Sequence, residues 1–377
     1  MKYPAVIGIV GGGQLGKMLT LAAKKLGFFV YVIDPTPQSP AGQVADKQIV
    51  ADYKDADAIR KLTKQTDVIT FEIELANSEV LEALVQKGFL VYPSPATLSI
   101  IQDKLRQKQF LKANRIPTAD FFEVSKEKDI EKAVQQFGYP LMLKARTDAY
   151  DGRGNALIAS RKEIKKGLEE LGKRSLYIEQ WVPFTKELAV MVARSTKGEI
   201  AVYPVVETIH KDNICDTVLV PAGISQKAFK NVQSLGKKVM KHLQGAGVFG
   251  IEMFLKKDNN VLVNEIAPRV HNSGHYTIEA SITSQFEQHI RAICGLPLGN
   301  TALTQKAVVM KNILGTKHGF DYPKGIEKAL AIKNVSIHIY GKHESRPQRK
   351  MGHITVMGET IDECLRKAEK ARRSLVI

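Results

Sequence analysis

The first hundred residues alternate between two patterns, and that alternation constrains the fold more than any other feature of the chain. Residues 6–10, 28–33, 68–71 and 89–92 are short apolar runs, while residues 14–26, 55–64 and 78–87 space their apolar side chains as helices do. Strands joined through helices re-enter a sheet in the same direction, because each crossover passes over one face of it. A parallel sheet is therefore expected here. Pro93-Ser94-Pro95 interrupts the pattern, and the first domain is taken to end soon after it, as residues 1–103.

Gly11-Gly12-Gly13-Gln14-Leu15-Gly16 follows the first apolar run and fits G-x-G-x-x-G, with Asp34 ending the second run. That combination matches a dinucleotide fingerprint. The glycines themselves establish only that the backbone can turn tightly and approach a ligand. Such a loop serves a substrate equally well, and Pro35 constrains the chain where an adenine ribose would have to settle.

A second constraint lies near residue 250. Residues 248–255 and 261–266 read as two strands around a polar turn, 256–260. A hairpin centred between Asp258 and Asn259 sets Glu252 directly opposite Glu265, both on one face. Like charges so placed repel unless something positive lies between them. A hard cation such as Mg²⁺ would do this with oxygen ligands, and so would a salt bridge from Arg269 or a lysine. The strand then runs into Asn264-Glu265-Ile266-Ala267-Pro268-Arg269-Val270-His271-Asn272-Ser273-Gly274-His275, whose groups suit a divalent cation, a phosphate and a polar substrate.

Other segments carry groups of the same kind. Tyr139-Pro140-Leu141-Met142-Leu143-Lys144 is a short strand ending in a cation, and the turn-rich stretch from Asp148 to Asn155 follows it. A lysine and the amides of a glycine loop both suit phosphate. Residues 176–182 read as a strand with a polar interruption. As an edge or hinge strand it would offer its backbone to an adenine edge, with Glu179 and Glu187 accepting hydrogen bonds from the amino group or ribose. Residues 188–193 are expected to pair with 200–206, and His210 follows. Lys342, Arg349 and Lys350 gather at neighbouring strand ends, where they suit a phosphate.

Composition narrows the class. A chain of 377 residues calls for two or three domains. Hydrophobic content of 44% and charged content of 25% are those of an ordinary globular enzyme. No apolar run reaches the length of a membrane span, and Met1-Lys2-Tyr3-Pro4 does not begin a signal peptide. Cys215, Cys294 and Cys364 are too far apart for a zinc cluster or disulfide framework, so a cytoplasmic location is expected. The net charge of +16 favours polyanionic partners, but without interleaved aromatic residues to stack bases.

Together, Gly11 to Gly16, Lys144, Tyr150-Asp151-Gly152-Arg153-Gly154, Glu179 to Val182, Glu187, His210, Glu252 and the run from Asn264 to His275 resemble the ATP-grasp superfamily. Within it the chain is similar to the N5-carboxyaminoimidazole ribonucleotide synthetase family of purine biosynthesis. The similarity extends through Thr283-Ser284-Gln285-Phe286-Glu287-Gln288-His289 and Arg346-Pro347-Gln348-Arg349-Lys350-Met351-Gly352-His353.

The resemblance implies a mixed α/β and α+β architecture in three parts. These are a Rossmann-like pre-ATP-grasp domain (1–103), an ATP-grasp domain (104–300, with a lid at about 122–185) and a small C-terminal domain (301–377) that completes the substrate site. It implies ATP contacts from Lys104, Lys144, Ala149, Tyr150, Asp151, Gly152, Arg153, Gly154, Asn155, Glu179, Gln180, Trp181, Val182, Glu187, His210, Asn264 and Glu265, with Mg²⁺ on Glu252 and Glu265. The ribonucleotide would meet Gln14, Leu15, Glu72, Tyr150, His271, Asn272 and Ser273, and its phosphate Lys342, Arg349 and Lys350. Arg269, Asp151 and Arg153 would act on the reacting groups.

The implied reaction is ATP-driven activation of bicarbonate to carboxyphosphate, then carboxylation of the exocyclic amine of 5-aminoimidazole ribonucleotide. A homodimer is the family's habit. A separate mutase is expected to take the product, since no further domain follows the helix at residues 361–374. Asp148-Ala149 stands where the family usually has two glycines, which implies a stiffer flap. Two alternatives are a formate-dependent glycinamide ribonucleotide transformylase, disfavoured by His271 to His275, and a non-catalytic basic module that binds nucleotide or nucleic acid.

Overall fold

The computed structural model describes residues 3–148, 154–319 and 323–377. The N-terminal strands form a parallel sheet in the order Lys47–Val50, Phe29–Asp34, Val6–Val10, Val68–Phe71. Its inner strands are apolar on both faces because helices cover both, as a parallel sheet requires. Two of its helices start where the sequence supplies a side-chain cap. Asp55 accepts from the amides of Asp57 and Ala58 ahead of Ala56–Thr63, and Asn77 accepts from Val80 ahead of Ser78–Gln86.

Two features of this region differ from the expectation. Residues 89–92 form no strand beyond a single parallel bridge, Ile69 to Val91, because Tyr92 leads at once into the prolines. Lys47–Val50 is an additional edge strand whose mixed, half-exposed side chains carry no apolar signature.

After the prolines come two short helices, Pro95–Gln102 and Lys104–Ala113. Asp103 ends the first and caps the second, accepting from the amides of Leu105 and Arg106. A small antiparallel sheet follows, in the order Phe121–Val124, Leu176–Gln180, Leu141–Ala145, Asn155–Ile158. Helices Glu127–Phe137 and Glu163–Leu171 bury Ile130, Ala133, Ile164 and Leu171 against it. Leu176–Gln180 is thus an interior strand of this sheet and not an edge strand. Residues 181 and 182 lie beyond its end.

The largest sheet has nine strands among the described residues. Its main path runs Val261–Ala267, Gly247–Lys256, Phe184–Arg194, Val206–Lys211, Ile214–Val220, Ala307–Leu314, Lys350–Gly358, Val335–Ile339, and Ile200–Val202 pairs with Phe184–Arg194. The last three strands of the path come from the C-terminal part of the chain, so that part extends the central sheet and builds no sheet of its own. Helix Gln226–Leu243 covers the face that carries Leu188, Val190 and Val192. The opposite face, with Ala189 and Met191, packs on Tyr276, Phe286 and Ile290 and onto the N-terminal sheet's core. Helix Ile361–Ser374, with Thr360 accepting from the Glu363 amide, buries Cys364, Ala368 and Ala371 against the C-terminal strands.

Candidate active site

Strands Gly247–Lys256 and Val261–Ala267 pair Glu252 with Glu265, as the sequence led us to expect, though not by the expected register. Nearer the turn, Leu255 faces Val261 and Met253 faces Val263. A symmetric hairpin continued from there would have set Glu252 against Asn264. A bulge between Glu252 and Met253 moves the ladder by one residue and makes Asn264 the extra residue, so Glu265 becomes the partner.

Glu252 also faces Ala189 across the neighbouring strand, and Glu187 lies two residues from Ala189. Glu187 in turn pairs with Thr208, two residues from His210. Since alternate residues share a face, one face of the sheet carries Glu187, His210, Glu252 and Glu265. It is the face away from helix Gln226–Leu243.

The carboxylates on this face are not equivalent. Burial, with the Glu265 charge adding to it, pushes Glu252 up to about 7. Burial works on Glu265 too, but Lys104, with Lys144 and Lys108 behind it, outweighs burial and holds that carboxyl below its ordinary value. Lys104 Nζ donates to Glu265 Oε1 and Oε2 at 2.9 and 2.8 Å. His271 Nε2 approaches Glu252 Oε1 only to 3.6 Å, too long for a hydrogen bond. Burial also keeps His271 well below its ordinary value, hence neutral. Glu252 therefore lacks a strong cationic partner among the described residues, and two opposed carboxylates with hard oxygen donors fit Mg²⁺.

Lys104 reaches Glu265 because its helix is tied to the carboxylate's own strand. Gln107 accepts from the Ile266 amide at 2.9 Å and donates to the Ile266 carbonyl at 3.2 Å. One turn on, the buried Lys108 pairs with Glu179 at 3.0 Å, and Lys144 takes the other oxygen of Glu179 at 2.9 Å. Tyr177 donates its hydroxyl to Glu179 as well, at 3.0 Å. Burial alone would raise Glu179, yet the two lysines bring it down to about 2. The Glu179 carboxylate is thus held by two lysines and a tyrosine. Lys108 and Glu74 were both missed from sequence, since a lysine in a helix as polar as Lys104–Ala113 gives no sign of burial.

Arg269 does not bridge the acidic pair. It donates to Glu74 at 3.0 Å and to the Val270 carbonyl at 3.2 Å. His210 pairs with Glu187, which outweighs burial and raises the imidazole above its ordinary value. Beyond the strand end, His271 Nδ1 contacts Ser273 Oγ at 2.8 Å, and Asn272 exchanges hydrogen bonds with Asn312 at 3.0 and 2.7 Å. A Cβ on Gly250 would lie 2.5 Å from that of His271, so only glycine lets the histidine sit over the hairpin.

The glycine loop faces this assembly from the N-terminal sheet, and its amides are already engaged. Gly12 donates to Asp34 at 2.9 Å, while Gly13 and Gly16 donate to Glu72 at 2.8 and 3.2 Å. A carboxylate stands where a dinucleotide would place its pyrophosphate. Gln14 begins the helix, half-buried, and the Leu15 side chain is buried in the core. Lys17, not anticipated from sequence, donates to the Tyr340 carbonyl at 3.0 Å. Lys342 donates to the Lys350 carbonyl at 2.7 Å, and burial together with Arg349 pushes its ammonium down to about 7. Arg349 donates to the Glu344 carbonyl at 2.6 Å.

Gln180 and Trp181 are exposed, Val182 is half-buried, and Gly154 and Asn155 are half-buried at the start of their strand. Ala149, Tyr150, Asp151, Gly152 and Arg153 lie outside the described residues. Asp148, just before them, takes a φ of 55°, the left-handed conformation that glycine would favour.

Two sheets of this kind, with Lys144 on one and metal-suited carboxylates on the other behind a parallel N-terminal sheet, define an ATP-grasp enzyme. The ATP-grasp domain family matches residues 109–286, the ribonucleotide synthetase preATP-grasp domain family residues 4–102, and the phosphoribosylaminoimidazole carboxylase C-terminal domain family residues 308–367. The solved N5-carboxyaminoimidazole ribonucleotide synthetase from Thermotoga maritima is 50% identical, with a TM-score of 0.90 over 99% of both chains. The N5-carboxyaminoimidazole synthase from Aspergillus clavatus, solved in complex with ADP and 5-aminoimidazole ribonucleotide, is 39% identical with a TM-score of 0.92 over 99% of both chains. Phosphoribosylaminoimidazole carboxylase of Schizosaccharomyces pombe is 46% identical over 97% of this chain, which spans 67% of that protein's length. The chain belongs to the N5-carboxyaminoimidazole ribonucleotide synthase family.

Proposed function

We propose that this chain uses ATP and bicarbonate to carboxylate the exocyclic amine of 5-aminoimidazole ribonucleotide. The observation that carries the reading is the Glu252–Glu265 pair, with His271, Asn272 and Ser273 at the end of the same hairpin. Bicarbonate oxygen attacks the γ-phosphorus of ATP, the P–O bond to ADP breaks, and carboxyphosphate forms. The amine nitrogen then bonds to the carboxyl carbon, the C–O bond to phosphate breaks, and the amine proton is released.

This chemistry depends on aligning charged groups and neutralising them, which suits the side chains present. Lys104 and Lys144 hold ATP phosphates and relax from Glu265 and Glu179 as they do so. Lys108 remains behind Glu179 and keeps that carboxylate charged. Glu187 and His210, with Gln180, Trp181 and Val182, hold the nucleoside end, and Asn264 on the bulge reaches the phosphates. Glu252 and Glu265 hold Mg²⁺, which when bound neutralises phosphate charge. Arg269 stabilises the transferring phosphoryl and carboxyl groups. Asp151 and Arg153 are assigned to the reacting groups, and the reaction requires exclusion of water that would destroy carboxyphosphate.

The ribonucleotide lies between Glu72 with Gln14 and the cations Lys342, Arg349 and Lys350, which take its phosphate. The division into residues 1–103, 104–300 and 301–377 belongs to the same reading, as do a homodimer, a cytoplasmic setting and transfer of the product to a separate mutase. Among the described residues no helix is long and apolar enough to cross a membrane. Mg²⁺-dependent ADP release with bicarbonate tests the substrate. Stimulation by 5-aminoimidazole ribonucleotide supports the proposal, whereas stimulation only by glycinamide ribonucleotide with formate would replace it with the transformylase.

A further inference from the structure

Behind the substrate-side segment lies a group of histidines that the reaction does not use. His338 and His353 face each other across neighbouring strands of the C-terminal part of the central sheet, with rings stacked 4.4 Å apart at 9°. Glu279, from the short helix Thr277–Ala280, meets His338 Nε2 through Oε1 at 2.5 Å. One ligand atom from each of the three residues lies within 4.8 Å of the others.

Two polar atoms here are buried without a hydrogen-bond partner, Nε2 of His353 and Oε2 of Glu279. His353 is fully buried, and native structures rarely leave such atoms unpaired. Tyr340 Oη lies 3.0 Å from His353 Nδ1. When Nδ1–H donates to that oxygen, the lone pair is left on Nε2, the usual way an outer partner fixes a ligating imidazole. Burial keeps His353 neutral, the form that binds metal. The His338 side chain retains 29% exposure and that of Glu279 15%, which provides a route in from solvent.

We propose that Glu279, His338 and His353 form a cation site of two imidazoles and one carboxylate for Zn²⁺, separate from the Glu252–Glu265 pair. The donor set suits a borderline first-row dication and not Mg²⁺, which prefers oxygen alone. Binding displaces the proton shared by His338 and Glu279; these two donors then move apart from 2.5 Å, and the stacked imidazoles rotate so that both lone pairs meet the ion. His353 pairs in the sheet with Asn312, the hydrogen-bond partner of Asn272. A bound ion would therefore fasten the segment after Asn272 to the C-terminal strands.

The test is Zn²⁺ titration of the full, chelator-treated chain, with Mg²⁺ in excess to occupy oxygen sites. A single equivalent should bind, and His338→Asn and Glu279→Gln should each weaken it by at least about tenfold. Glu252→Gln should bind Zn²⁺ as the parent does. Unchanged binding in the first two variants, or loss in Glu252→Gln, would overturn the assignment. Should either of the first two variants fail to fold, Co²⁺ titration of the unmodified chain decides. Intense visible absorption from a low-coordinate nitrogen site supports the proposal, and its absence refutes it.

Discussion

Replacing Glu252 with glutamine should make the metal-free protein more stable at high pH while abolishing its catalytic use of Mg²⁺. Glu252 is raised from its ordinary 4.5 to about 7 by burial and by Glu265. Between those values the folded chain binds more protons than the unfolded chain, so stability falls as pH rises, and the loss is complete above about 7. At about 1.4 kcal/mol per pH unit the full penalty is about 3 kcal/mol. The side chain keeps 30% of its exposure, so solvent screening reduces this to about 2 kcal/mol.

Glu252→Gln should therefore exceed the parent by about 2 kcal/mol in chelator-containing urea melts at about pH 8, with the advantage gone near pH 5. Because Mg²⁺ needs the ionised carboxylate, the parent's metal affinity should climb as pH rises towards 7 and then level off. Equal stability of the two proteins at about pH 8, or an advantage that does not vary with pH, would refute the argument.

Two other substitutions probe the neighbouring groups. Arg269→Ala should lower turnover by about 100-fold or more while leaving ATP affinity within a few-fold, as expected of a group acting on the transition state; equal losses in both would make it a binding residue. Lys108→Met leaves Glu179 with half its cationic support at a buried site, and urea unfolding at neutral pH should show a loss of about 3 kcal/mol or more. The depressed Glu179 contributes stability that is present above about 4.5 and is lost as pH falls towards 2, so the parent and variant should converge in acid. A loss below about 1 kcal/mol at neutral pH would show that Lys144 alone suffices.

The sequence made the local features readable and left the long-range ones hidden. Counting outward from the turn set Glu252 against Glu265, and the polar run to His275 marked the site's floor. The bulge that produces this opposition was not visible, because one extra residue in a ladder leaves no trace in composition. Six helical and strand segments ahead of Pro93 emerged from periodicity, whereas Lys47–Val50 did not, since a four-residue edge strand with both ends exposed has no apolar stripe. Lys108 and Glu74 could not be found because their partners, Glu179 and Arg269, lie far along the chain. Nor did sequence show that Ala307–Leu314 pairs with Ile214–Val220, which makes the C-terminal strands continuous with the central sheet.

The most direct measurement is the fate of oxygen from ¹⁸O-labelled bicarbonate during turnover with ATP and 5-aminoimidazole ribonucleotide. If ATP activates bicarbonate, the oxygen that attacks phosphorus leaves with it, and the inorganic phosphate formed should carry one labelled oxygen. Phosphate free of label, formed while the ribonucleotide is carboxylated, would contradict the account.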